Sequence, residues 1–501
     1  MTLPLVIILG WLVVTTAVGV LAGLNRRFGL EEFMVGGRSF GVVLFYTVAA
    51  AEIYSAFAFL GLAGWAFGRG LSITYGLAYM AIASAILFFL GPRVHRLGRC
   101  AGYVTQPDFL EDRYESRTLA VTTAAMGVIF LIPYLQVQLI GAGIIVQIAS
   151  GGAMGREAAI LAAVVALVVF VTVSGLRGIG WTNLLQALVM LIGMITVGVM
   201  IPERLYGGVG AAFDALARLR PNHLQLPDSG GLGLGWYASA VVISAVGAWA
   251  WPHLFASLYS ARSGRVIRRN AGILPLYQLA VVPVIIVGFA CAARAAEDPE
   301  FAARIAHPDQ AMLVALVELL PAWVAGAIGA GGLAAAISTA SSQILASANL
   351  VARNVLQRGI APGLDDRRTA WLARGLIAPV AAIATVLALL APDMLVTLLL
   401  IGYSGIAQLM PAIACGLFWR RATLPGVSSG LAAGLAVAVL AQISGWQPPW
   451  GLHAGFLGLM LNVAVTAGVS LATTPPDPDR IRRFEAMLGT EDGEVTTASP
   501  E

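Results

Sequence analysis

Apolar runs long enough to cross a bilayer recur along the whole chain, separated by short stretches where Gly, Pro and charge interrupt them. A spanning helix needs about 20 apolar residues, because a rise of about 1.5 Å per residue must cover about 30 Å of hydrocarbon. At that length the pattern predicts thirteen helices, near 3–24, 40–68, 71–90, 118–148, 158–173, 182–201, 236–259, 273–293, 322–352, 370–391, 394–417, 426–443 and 453–472. The first run has no basic residues before it and no convincing cleavage site, so it reads as a retained helix rather than a signal peptide. The expected fold class is an all-α polytopic membrane protein. Residues 1–472 form the transmembrane domain. Residues 473–501 form a polar, mostly disordered tail with a short helix near 479–488.

Two of these runs look broken. In 40–68 the stretch Ala49-Ala50-Ala51-Glu52-Ile53-Tyr54-Ser55 puts a carboxylate in mid-span. In 236–259 the stretch Gly247-Ala248-Trp249-Ala250-Trp251-Pro252-His253 puts Pro and His there. Pro252 has no N–H for the helix ladder, so a neighbouring carbonyl is freed. Non-helical backbone at membrane depth survives only where protein or an aqueous cavity satisfies it. The breaks lie five spans apart, which is the pattern of two five-helix repeats, each beginning with a discontinuous helix.

Composition agrees with the pattern. The chain has 501 residues, 58% hydrophobic and 11% charged, with a mean hydropathy of +0.84; a soluble chain is about a quarter charged. All basic residues are arginine, and the small net charge of +4 does not point to nucleic acid. With the N-terminus outside, the cytoplasmic segments hold 22 arginines and the outer ones seven, while Arg374 starts a helix. This obeys the positive-inside rule and leaves the C-terminus in the cytoplasm. Cys100, Cys291 and Cys415 are too scattered for a metal site or a disulfide framework. The 29 residues after the last span leave no room for a fused nucleotide-binding domain, and no Walker A pattern appears. Nor does HExxH or a His cluster, so no enzyme is indicated. A passive channel lacks its ring of carboxylates or repeated filter.

The densest chemistry lies at Ala336-Ile337-Ser338-Thr339-Ala340-Ser341-Ser342. Hydroxyls packed this closely in a membrane helix either bond the carbonyls one turn earlier or ligate something. Glu52 is a carboxylate near the centre of an apolar span, where insertion costs about 2.5–3.5 kcal/mol, and it is therefore a functional candidate. It could also be a neutral, hydrogen-bonded structural acid.

Four stretches, taken in order, resemble the sodium:solute symporter family. They are Phe33-Met34-Val35-Gly36-Gly37-Arg38-Ser39, Tyr103-Val104-Thr105-Gln106-Pro107-Asp108-Phe109-Leu110, the Ser338/Thr339 helix, and Phe418-Trp419-Arg420-Arg421-Ala422-Thr423-Leu424-Pro425-Gly426. The resemblance implies the leucine-transporter fold, with inverted repeats at spans two to six and seven to eleven. It also implies a Na⁺ site built from the carbonyls of Ala51, Tyr54 and Ala335 and the hydroxyls of Ser338 and Thr339. Within the family, Ala51-Glu52-Ile53-Tyr54-Ser55-Ala56-Phe57, Pro133-Tyr134-Leu135-Gln136-Val137-Gln138-Leu139 and Trp251-Pro252-His253 resemble bacterial monocarboxylate permeases. Proline-transporting members have their important acid one position later, where this chain has Ile53. One position turns a helix by about 100°, so Glu52 is left open to tuning Na⁺, carrying a proton or facing substrate.

The substrate pocket is expected between spans two, four, seven and eleven, with Glu52, Tyr54, Gln136, Gln138, Trp249, Trp251, His253, Tyr403 and Gln408 as candidates. Each aromatic could equally be packing. Gln136 and Gln138 are two apart and point different ways, so at best one faces the site. His253 could donate to a carboxylate or cap the break. The resulting expectation is a cation-coupled secondary symporter of the plasma membrane. It takes up a small organic anion such as a monocarboxylate, with Na⁺ as coupling ion and H⁺ as the alternative. Rival solutes are pantothenate, amino acids and sugars. The lipid bilayer is its medium, and no nucleic acid or obligate protein partner is implied.

Overall fold

The computed structural model describes residues 2–23, 29–53, 55–227, 231–390, 394–446 and 448–489, without the side chains of residues 22, 23, 51–53, 174, 277 and 278. Among them every regular element is helical. The chain begins with α1 (Leu3–Gly23). Its first repeat holds α2 (Val42–Ile53), α3 (Leu62–Arg69), α4 (Tyr75–Ala101), the short α5 (Gln106–Tyr114), α6 (Arg117–Ala149) and α7 (Arg156–Tyr206). The second repeat holds α8 (Leu234–Gly247), α9 (Pro252–Ser260), α10 (Gly264–Gln278), α11 (Val282–Glu297), α12 (Ala322–Leu350), α13 (Asp366–Leu390), α14 (Leu395–Ile406) and α15 (Met410–Phe418). Then come α16 (Leu424–Ser444), α17 (Ala454–Ala472) and α18 (Pro478–Gly489).

Among the described residues eleven helical stretches are long and apolar enough to cross a membrane, and α8 and α9, bent by 48° at their junction, bring the number to twelve when the pair is counted as one span. The expected count of thirteen is thus approximate. The difference lies in 40–68, which is not one helix. There α2 stops at Ile53, a π-helical turn over Phe57–Gly61 leads into α3, and a 3₁₀ turn over Gly70–Thr74 carries the chain on into α4. The fifth and sixth expected spans meet inside α7 at Gly175, whose φ of 54° breaks the helical geometry. Only glycine adopts that φ at little cost, and a Cβ there would meet the Phe33 ring at 2.9 Å.

The inversion of the repeats can be seen in one contact. Phe40, just before α2, forms an isolated parallel bridge with Ala261, just after α9. Phe40 N donates to Ser260 O at 3.0 Å, and Arg262 N donates to Phe40 O at 2.9 Å. The first broken span therefore starts on the face where the second one ends. At the centre stands α12. Of the most apolar stretch within 322–360, 94% is buried in protein, against 28% for α1 and 33% for α17. Its Gly, Ala and Ser residues let neighbouring backbones approach closely, as membrane interfaces favour. In the tail, α18 packs back onto the bundle through the buried Phe484, whose ring meets that of Phe109 at 6.5 Å. The rest of the tail, beyond Gly489, lies outside the described residues.

Candidate functional site

Each helix break leaves polar backbone inside the bundle, and each is met by a buried glutamine. At the first, Ala56 N donates to Gln138 Oε1 at 2.9 Å, and Gln138 Nε2 donates to Tyr134 O at 3.3 Å along its own helix. At the second, α8 passes through a 3₁₀ turn to Trp251 (φ −58°, ψ 126°), and Pro252 opens α9. Proline suits this first helical position because no N–H is needed there. The carbonyl of Ala250 accepts from Gln106 Nε2 at 3.0 Å. A buried backbone group without a partner costs about 1–3 kcal/mol, so these two amides make the breaks tolerable.

The hydroxyl-rich helix packs against both α2 and α9. Ser338 Oγ donates to Ala335 O at 2.9 Å and Thr339 Oγ1 donates to the same carbonyl at 3.3 Å. Both hydroxyls thus bond the carbonyl one turn earlier, the first of the two alternatives for such a helix, and each keeps lone pairs that a cation can take. Such carbonyl and hydroxyl donors suit a hard cation. Among the described residues no group of three His, Cys, Asp or Glu gathers to hold a metal. Of the other expected ligands, Ala51 has its backbone in α2. The side chains of Ala51 and Glu52, and the whole of Tyr54, lie outside the described residues.

Beside the second break four spans contribute to one aromatic cluster. The Trp251 ring lies 5.0 Å from Tyr134 and 5.3 Å, edge-on, from Tyr403. Tyr403 continues to Tyr79 at 5.9 Å, and His253 sits 5.8 Å from Tyr134 and 6.1 Å from Trp251. His253 is 2% exposed, and neither of its ring nitrogens has a partner among the described residues. This cluster joins α4, α6, α9 and α14.

Not all the expected pocket residues meet there. Trp249 donates its indole N–H to Ala83 O at 2.7 Å and is an anchor onto α4. Gln408 turns toward α17. Its Nε2 donates to Ser404 O and Gly455 O at 3.1 and 3.0 Å, and its Oε1 accepts from Asn462 Nδ2 at 3.3 Å. Gln138 is engaged at the first break, while Gln136 is buried in the same helix. Conversely, Tyr79 and Tyr134 lie in this cluster and Gln106 at the second break; none was a pocket candidate from the sequence, although Tyr134 and Gln106 fall in stretches that carry the family resemblance. Tyr134 follows Pro133 inside a long apolar run, a mid-span pairing that signals irregular helix. Nothing local marks the other two.

The profile of the sodium:solute symporter family matches residues 33–434. The chain belongs to this family. It is a membrane transporter, not an enzyme. The uncharacterized symporter YhjB of Bacillus subtilis is 34% identical over 484 residues, covering 94% of this chain and 98% of that one. A monocarboxylate transport permease protein of Rhizobium johnstonii is 26% identical over 503 residues, covering 95% and 98%. The solved structure of a substrate-bound, outward-open Na⁺-coupled sialic acid symporter superposes with a TM-score of 0.81 at 16% identity, covering 95% of this chain and 99% of that one. At that identity the likeness concerns the fold.

In this symporter buried carboxylates tie the loops between repeat helices to the core. Asp108 Oδ2 accepts from Val104 N and Thr105 N at 3.1 and 3.2 Å, closing a capping box at the start of α5. Its Oδ1 accepts from Asn354 Nδ2 at 3.0 Å and lies 3.6 and 3.7 Å from Arg353 and Arg358. In the equivalent loop of the second repeat, Asp309 Oδ2 accepts from Leu395 N at 3.0 Å, at the start of α14. Burial pushes the Asp309 carboxyl up to about 7, because the charged form loses its water.

Proposed function

We propose that the protein drives uptake of a small organic anion, a pyruvate- or lactate-like monocarboxylate first, with Na⁺ as coupling ion. In this reading the N-terminus is outside and the C-terminus cytoplasmic, following the arginine bias. The observation that carries it is a pair of features beside the two breaks. The Ala335, Ser338 and Thr339 oxygens converge on α12, and His253 stands unpartnered among the described residues near the start of α9.

The backbone N–H groups at the start of α9 carry partial positive charge, which favours an anion. His253 and the Trp251–Tyr134 walls supply a donor and apolar sides for a short carbon chain. Na⁺ bound between α2 and α12 stabilises one arrangement of the broken span. Substrate then shifts the balance toward closure, and it can do so only by binding the two arrangements unequally. The named activity of the Rhizobium relative supports the substrate class.

The test is uptake into proteoliposomes, with Na⁺ and H⁺ gradients imposed separately over a panel of short carboxylates, pantothenate, proline and sugars. Saturable, Na⁺-dependent accumulation of a carboxylate is the expected result. Accumulation under a proton gradient in Na⁺-free buffer, with no gain from added Na⁺, would overturn the coupling ion. Selective uptake of a neutral or zwitterionic solute would overturn the substrate class.

A further inference from the structure

The tail helix α18 does not simply cover the arginine-rich face; it roofs a cavity there. Arg480 pairs with Asp112 and Glu115, Arg483 with Asp112, and Glu485 with Arg420. These contacts tie the helix to α5 and to Arg420 just past α15, and Arg96 joins it to α4 by donating to Leu488 O. Between them remains a cavity of about 520 Å³, lined by Arg93, Arg113 and Arg420 together with Phe418, Phe484 and Leu488. A second cavity of about 290 Å³ adjoins it, sharing Arg93 and Leu488 and adding Arg96, Arg268, Phe88 and Phe89.

Arginine outnumbers carboxylate along both cavities: the one acid among the described residues lining them, Glu485, is paired with Arg420. Among the described residues, Arg93, Arg96, Arg113 and Arg268 have no carboxylate within salt-bridge distance. Arg93 instead donates to Leu417 O at 3.2 Å, with its guanidinium 4.5 Å above the Phe418 ring. Arg268 lies 5.9 Å over Phe88. Arg96 has a buried Nε with no hydrogen-bond partner. The aromatic rims are open: Phe88, Phe89 and Phe418 are 44%, 66% and 51% exposed. They sit where two spanning helices reach the arginine-rich face.

Arginines without carboxylate partners over a cavity, next to exposed rings, match the chemistry of a phosphodiester headgroup with its chains attached. We propose that this double cavity binds an anionic phospholipid, its phosphate held by Arg93, Arg96 and Arg268 and its chains lying along Phe88, Phe89 and Phe418. Basic pockets between membrane helices are suited to such headgroups. The site is separate from the ion and substrate site, and the proposal stands whatever the substrate is. Because α18 forms its roof, an occupied site fastens the tail helix to α4 and α15.

The test uses the full chain in phosphatidylcholine nanodiscs, alone or doped with phosphatidylglycerol or cardiolipin. Lipid binding is read by native mass spectrometry and by thermal stability. Anionic lipid should be retained and should stabilise the wild type. Arg93→Gln and Arg268→Gln should each weaken retention about fivefold, since a basic residue near an anionic surface contributes about that much. Arg220→Gln, on an exposed loop elsewhere, should not. Three outcomes would overturn the proposal. One is equal retention of phosphatidylcholine and phosphatidylglycerol. Another is the same stabilisation by inorganic phosphate alone, which would make this a free-anion site. The third is lipid binding that appears only after Glu491→Gln, Asp492→Asn and Glu494→Gln, which would make the acidic end of the chain the occupant.

Discussion

Gln138 offers the sharpest test of how the first broken span is held. Its side chain is fully buried, and its Oε1 is the acceptor for Ala56 N at 2.9 Å. In Gln138→Leu the helix is unharmed, since leucine is as good a helix former as glutamine, and the side-chain volume is nearly kept. The Tyr134 carbonyl loses little, because a helix-interior carbonyl keeps its backbone bond. The cost therefore falls on Ala56 N, a buried donor with no acceptor, at about 1–3 kcal/mol. That is a factor of about 5 to 150 in whichever equilibrium depends on this geometry.

Two of the three proposed Na⁺ carbonyls, those of Ala51 and Tyr54, lie just before that N–H in the chain. If they form the site, the loss appears as a rise of at least about fivefold in the Na⁺ concentration for half-maximal uptake, together with reduced thermal stability. Gln138→Glu is the companion variant. A protonated glutamic acid keeps both an acceptor for Ala56 N and a donor for Tyr134 O, so it should retain most of the wild-type behaviour. The measurement is Na⁺-titrated uptake in proteoliposomes, with unfolding followed on the same preparations. Wild-type Na⁺ dependence and stability in Gln138→Leu would refute the role assigned to this amide. A stability loss with unchanged Na⁺ dependence would detach the break from the ion site.

Three further outcomes are expected. Ser338→Ala and Thr339→Ala should each raise the Na⁺ requirement for uptake and weaken substrate binding at limiting Na⁺, since the linkage is reciprocal; unchanged Na⁺ titrations in both would remove the site from α12. His253→Ala should weaken carboxylate substrate binding about tenfold to a hundredfold, the loss of one hydrogen bond to a charged group, while Na⁺ binding measured without substrate stays as in the wild type; equal substrate affinity would exclude the residue. Asp309 has a carboxyl pushed up to about 7 by burial, above the unfolded value, so its stabilising share is complete below about pH 4 and is lost as pH rises through about 7. Asp309→Asn should flatten that fall in thermal stability, and an unaltered pH profile would show that the carboxyl does not titrate there.

The sequence made the architecture legible to an unequal degree. Spans could be counted because lipid demands long apolar runs, and the second break could be placed because Pro252 has no N–H. The Ser338/Thr339 cluster stood out because hydroxyls are conspicuous in an apolar helix, and their meeting at Ala335 O follows from the three- and four-residue spacing of a helix. What closes each break was not legible. Gln138 is 82 positions from Ala56 and Gln106 is 144 from Ala250, so only the tertiary packing brings them together. Trp249 and Gln408 misled for the same reason. Their position beside a break says nothing about whether the side chain points inward or is already bonded to Ala83 O or Asn462.

The choice of group at each place bears on how such a bundle can move. The centre of each broken span is closed by a neutral amide, a bond with a net worth of about 1 kcal/mol. The arginine-rich end is held differently, by Asp108 with Asn354, Arg353 and Arg358 and by the bridge between Phe40 and Ala261. Removing one partner of a buried charged set costs about 3–5 kcal/mol. Alternating access requires two arrangements whose free energies differ by amounts that ligand binding can reverse, a few kcal/mol at most. Amide-to-backbone bonds at the hinges can be exchanged within that range as the helix halves tilt. In the proposed cycle the hinge bonds are therefore weak enough for bound Na⁺ and substrate to reverse, provided each binds the two arrangements unequally.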